Sequence, residues 1–165
     1  MKFRVMLTAA GVVVGLGNAA YAVLNDSDAR DLRALAEAWV GSPALIERHV
    51  ERATLHCLNM RTSFAVPDPL VALTADTVLL SVRDELDLAS PADAAALSEI
   101  HAKDVRRSVA ALSPERSAEM LDVLGALSED YSIEGCVARA VAGWIGARAR
   151  SARVDAPDRP HPFAG

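Results

Sequence analysis

Two histidines and the arginine between them give this chain its most suggestive chemistry. His49 and His56 stand seven residues apart, with Arg52 at the third step from His49. On a helix, steps of three and four bring Leu45, His49, Arg52, His56 and Asn59 onto one stripe. Arginine offers a forked set of N–H donors that matches a carboxylate or phosphate, and imidazole adds positive charge as pH falls. His49, Arg52, His56 and Asn59 therefore make the candidate partner-binding surface, suited to an anion or to another protein. The commoner origin of such a stripe is the solvated edge of an amphipathic helix. A metal ion shared by the two imidazoles fits poorly, because seven residues of helix separate them by about 10 Å.

A second candidate is the pair His101 and Asp76. His101 falls between Leu97 and Val105 on an apolar face. That setting more often holds a hydrogen-bonded core histidine than a ligand. Asp76 is the only charge between Asp68 and Arg83. It reads either as a functional carboxylate or as the narrow wet stripe of a buried helix. These two residues form the alternative, small-ligand or metal site. An enclosed polar cavity beside them would put that reading first. The acidic run Asp84, Glu85, Asp87 lacks the spacing of a calcium loop.

Catalytic patterns are missing. The chain has no G-x-S-x-G, no H-E-x-x-H, no C-x-x-C-H and no glycine-rich phosphate loop. No nucleophile–base pair stands out, so an enzyme is not expected. No cofactor or resident metal is implied, and Met60 and Met120 read as core residues.

The elements that must position these groups are helical. The chain is 52% apolar but only 4% aromatic, so Ala and Leu do most of the packing. That composition favours close-packed helices over a sheet. Ser42-Pro43, Asp68-Pro69, Ser90-Pro91 and Ser113-Pro114 each open an apolar-periodic segment. Ser or Asp suits an N-cap, and proline suits the first helical turn. The expected helices run from 27 or 28 to 40, 43 to 63, 69 to 86, 91 to 112, from 114, and 133 to 152. The last two are either separate or continuous, with Ser132 as a possible cap between them. The second helix packs through Ile46, Val50, Ala53, Cys57 and Met60. The last packs through Ile133, Val137, Ala140 and Trp144. Arg148, Arg150 and Arg153 gather at its C-terminal end, where the helix dipole favours cations. The third helix is apolar around most of its circumference and is expected to be the most buried. Its stretch 77–82 has strand-like composition but no nearby partner strand.

Cys57 and Cys136 are the only cysteines. In an oxidising compartment an even pair usually bridges. The expected fold is all-α, an up-and-down bundle of five or six helices closed by this disulfide.

The first 22 residues read as a cleaved export signal. Lys2 and Arg4 precede the uncharged apolar run 5–17, and Ala20-Tyr21-Ala22 offers small residues before a cut ahead of Val23. The glycines at 11, 15 and 17 weaken this run as a helix, and it is too short for a membrane anchor. Residues 23–154 form the single domain, and the Pro-rich stretch 155–165, with His161, forms a mobile tail. Removing Lys2 and Arg4 leaves 15 basic against 22 acidic residues, a net charge of −7. Nucleic acid is a poor partner for that balance. Nothing here fixes the oligomeric state.

Two classes of function remain. The first is a periplasmic or secreted protein that binds another exported protein, in the manner of an immunity protein, an inhibitor or a chaperone. The second is a small-ligand or metal-binding helical bundle.

Overall fold

A computed structural model of the chain describes residues 4–8, 11–15, 26–125 and 133–154. Six helices make up its main body: α1 (Asp26–Gly41), α2 (Pro43–Asn59), α3 (Asp68–Asp84), α4 (Pro91–Ala110), α5 (Pro114–Gly125) and α6 (Ile133–Val154). Ahead of them, β1 (Arg4–Thr8) and β2 (Gly11–Gly15) pair antiparallel, with Arg4 opposite Gly15 and Thr8 opposite Gly11. The apolar run near the N-terminus is thus a two-stranded ribbon rather than a helix. Valines at 5 and 12–14 favour extended backbone, and the flanking glycines do not support a helix. From residue 26 onward the described chain has no strand, and 77–82 is helical. The proposed cut before Val23, the Ser132 cap, the 126–132 connection and the 155–165 tail lie outside the described residues.

Helix starts follow the proline punctuation, but the caps differ from expectation. Ser90 completes a capping box: its Oγ accepts from the Asp93 N–H at 3.3 Å, and its own N–H donates to Asp93 Oδ2 at 2.8 Å. Ser113 Oγ accepts from the Arg116 N–H. Ser42 makes no side-chain cap. It is the single residue between α1 and α2, and its N–H closes the end of α1 on the Ala38 and Trp39 carbonyls. Asp68 lies inside α3, because the extended Pro67 takes the N-cap position.

The bundle alternates direction. Cys57 meets Cys136 and, eight residues back and eight forward, His49 meets Trp144, so α2 and α6 run antiparallel. Asp76 meets His101 and Arg83 meets Asp93, so α3 and α4 also run antiparallel. Leu32, Leu35, Val50, Leu58, Leu70, Leu73 and Val137 fill the core between α1, α2, α3 and α6. As expected, α3 buries the most residues of these helices, while α4 buries only Ala94 and Val105.

Two packing seams are displaced. α2 ends at Asn59 rather than near Ser63, since Thr62 Oγ1 bonds the Leu58 and Phe64 carbonyls and turns the chain. Met60 is therefore 59% exposed, and Thr54 and Leu58 are buried in its stead. On α6, Val141 is buried and Ala140 is exposed. A helix of 3.6 residues per turn drifts off a strict three–four spacing, which moves the buried position by one residue. Met120 is core, as expected.

The disulfide joins the last turn of α2 to the first of α6, with Cα atoms 6.2 Å apart. An ion pair adds to it: Arg139 Nη2 on α6 donates to the buried Asp28 Oδ1 on α1 at 2.6 Å. Ser81 Oγ on α3 reaches Glu134 Oε1 on α6 at 2.9 Å. α6 is thereby tied to three other helices near its N-terminal half.

Candidate functional site

His49 sits one to two turns into α2, on the side facing α6. Its ring lies against the Trp144 ring, with centroids 3.6 Å apart and planes tilted by 33°. The Arg148 guanidinium also lies over the Trp144 ring, 5.5 Å from its centroid. Arg148 is one turn beyond Trp144, the spacing that brings helix neighbours together. Both rings are half-buried, while Arg48, Arg52 and Arg148 are exposed around them. The result is a small platform of two aromatic rings fringed by three guanidinium groups.

Its electrostatics are one-sided. The His49 imidazole is held below its ordinary protonation range, first by partial burial and then by Arg52, Arg48 and Arg148. The charges acting on the ring are all cationic, from its own helix and from α6. Arg48 Nε donates to the Ala44 carbonyl, and Arg52 and Arg148 have no carboxylate partner among the described residues. Glu47 and Glu51 stand beside Arg48 and Arg52 along α2, yet none of the three arginines is ion-paired to a carboxylate among the described residues. Such a cluster is a local sink for anions.

The other two residues of the stripe stand apart from the platform. His56 is exposed nearly two turns further along α2. Asn59 is occupied: its Oδ1 accepts from the Val66 N–H at 3.4 Å and steadies the loop into α3.

His101 and Asp76 are brought together as each other's partner. His101 Nε2 lies 2.7 Å from Asp76 Oδ2, bridging α4 to α3. Beside them a groove of about 940 Å³ opens between α2 and α4, floored by α3. Trp39, Arg48, Asp76, Arg83, Leu97 and Ile100 line it. It is open rather than enclosed, and Ile100 at its rim is 71% exposed. Its charges are largely answered within the fold. Trp39 Nε1 donates to Glu47, and Arg83 lies 3.6 Å from Asp93. The Ser90 hydroxyl and N–H, with Arg83, hold the Asp93 carboxyl below the usual carboxylate range. Among the described residues, no three His, Cys, Asp or Glu side chains converge to hold a metal ion.

The pattern of α2 pointed to His49 and Arg52, but not to Trp144, Arg148 or Arg48. A signal for Trp144 was available. Once Cys57 and Cys136 are bridged on antiparallel helices, counting eight residues back along α2 and eight forward along α6 sets His49 opposite Trp144.

Comparison with known proteins gives no assignment: no family model, no curated protein and no solved structure matches the chain.

Proposed function

We propose that this is an exported, non-catalytic protein that binds another exported protein through the α2–α6 face around His49 and Arg52. Immunity, inhibitory and chaperone-like roles all belong to this class. The observation that carries the reading is the cluster of Arg48, Arg52 and Arg148 about the stacked His49 and Trp144 rings, none of them ion-paired to a carboxylate among the described residues. Arginine and tryptophan are the side chains that most often anchor protein interfaces. The disulfide two turns away fixes this face and reduces the ordering that binding would otherwise require.

Export is supported by the pattern of residues 1–22 and by the paired cysteines, which suit an oxidising compartment. Among the described residues no helix is long and apolar enough to cross a membrane.

Site-directed photocrosslinking tests this reading. A photoreactive side chain at His56, exposed on the same helix nearly two turns beyond the platform, should capture one discrete exported protein. The same group at Lys103 on α4, exposed and remote in sequence, should not. Arg52→Ala should then weaken binding of the captured protein by about 1 kcal/mol or more. Capture from both positions, or from neither, would reject the surface.

The α2–α3–α4 groove favours the second reading, a small-ligand site. Its open shape and the pairing of Asp76 with His101 place it behind the first.

A further inference from the structure

The chemistry of the α2–α6 platform narrows the kind of partner. Arg48 and Arg52 are one helical turn apart, about 6 Å along the axis, and Arg148 approaches from the facing helix. That span matches one or two carboxylates, not a long polyanion. The overall negative charge of the chain opposes nucleic acid or an anionic bilayer, whose charge extends well past the patch. The part of the His49 and Trp144 side chains left exposed beside their mutual contact offers apolar surface next to the donors. A short acidic segment with an apolar or aromatic neighbour satisfies all of these features.

We propose that the platform is a receptor for an acidic peptide segment of the partner, in which Arg52 and Arg148 bind carboxylates and His49 takes up a proton as the segment arrives. This rests on the protein-binding reading above and specifies its chemistry. The proton uptake follows from the neighbours of His49. Arg48 and Arg52 on α2 and Arg148 on α6 oppose its charged form, along with partial burial. A carboxylate seated among the three arginines offsets that opposition. The protonated ring then gains both the anion and the electron-rich face of Trp144. By linkage, whatever raises proton affinity on binding makes binding stronger as pH falls.

The test uses the full chain and a capped Glu-Phe-Glu-Phe-Glu peptide, with the Lys and Gln counterparts as controls. Binding is followed by tryptophan fluorescence in a Trp39→Phe background, which leaves Trp144 as the reporter. Histidine resonances followed by NMR in the unmodified chain give a second readout free of that substitution. The glutamate peptide should bind saturably, and the lysine peptide should not. Arg52→Gln with Arg148→Gln should weaken it at least about tenfold, the effect of losing charge-assisted donors. Affinity should rise severalfold between about pH 8 and about pH 6, the ordinary imidazole range. The His49 resonances should titrate at higher pH with peptide bound, and His49→Gln should flatten the pH dependence.

No glutamate-peptide binding, binding indifferent to the two arginines, or a His49 titration unmoved by peptide would overturn the proposal. So would arginine-dependent binding of phosphatidylserine vesicles with no binding of the peptide. The two readings fail separately. A protein captured at His56 whose binding ignores the arginines removes the acidic-segment chemistry alone. Arginine-dependent peptide binding with no captured protein removes the interaction function alone.

Discussion

The α2–α6 seam and the α3–α4 face are both antiparallel helix pairs, yet they treat charge in opposite ways. On α3–α4, each ionic group in the groove wall that sits between the helices has its counterpart: Asp76 has His101 and Asp93 has Arg83 and Ser90. On α2–α6, three arginines share one neighbourhood around His49. The seam is also the pair that carries the Cys57–Cys136 bridge. A covalent link lets two helices hold like charges in register against their mutual repulsion. A pair without one is held by packing and by the neutralisation of its own charges. The free electrostatic capacity of the molecule therefore lies where the covalent frame is strongest.

The largest expected effect comes from removing that frame. The chain-entropy model assigns the bridge, which spans 79 residues, about 4 to 5 kcal/mol as an upper value. Urea unfolding with and without a reductant should show a loss on that scale, and His49 should lose its contact with Trp144 before Asp76 loses His101. Equal stability in both conditions would remove the contrast between the two pairs.

Arg139→Ala comes next. It leaves the Asp28 carboxylate, with its side chain only 3% exposed, without its close guanidinium partner. The expected loss is about 2 to 3 kcal/mol, below the full cost of breaking a buried pair because Arg139 is itself partly solvated. A loss under about 1 kcal/mol would mean that α1 and α6 are joined by packing alone.

On the other face, Asp76→Ala should cost less than about 1 kcal/mol, because Asp76 keeps nearly half its side chain in water. The same unfolding curves report it, and the small loss should shrink further in high salt.

The smallest effect concerns pH. The fold holds His49 below its ordinary value of 6.5, so on acidification the unfolded chain takes up a proton first. Stability from this residue is fully present above about 6.5, declines as pH falls below it, and levels off once the folded imidazole is charged. His49→Gln should lose less stability than the unmodified chain between about pH 7.5 and about pH 5.5. Parallel declines would place the acid sensitivity elsewhere.

The helical body and its bridge were legible because they rest on local signals. Proline punctuation marked the helix starts, three–four periodicity marked the faces, and two cysteines leave one pairing. What failed were details set by neighbours. Ser42 does not cap α2, because a one-residue connection commits its N–H to α1. Met60 lost its core position to a loop that turns on Thr62. The strands near the N-terminus arose where valine preference for extended backbone outweighed the helical reading of an apolar run. At the site, His49 and Arg52 were visible from their spacing on one helix. Arg148 was read as a cation at a helix end, because its place beside His49 requires the register between α2 and α6, and the two residues stand 99 positions apart in the chain.

The contrast between answered and unanswered charge is tested most directly by the unfolding free energy of Arg52→Ala at low ionic strength, beside the unmodified chain. An arginine that stabilises its neighbours lowers stability when removed, whereas one held against repulsion does not. The expected result is a stability equal to or slightly above that of the unmodified chain, since Arg52 shares the neighbourhood of His49 with Arg48 and Arg148 and has no ion-paired carboxylate among the described residues. A loss greater than about 1 kcal/mol would contradict this, and would make the α2–α6 cluster a structural element rather than a surface kept for a partner.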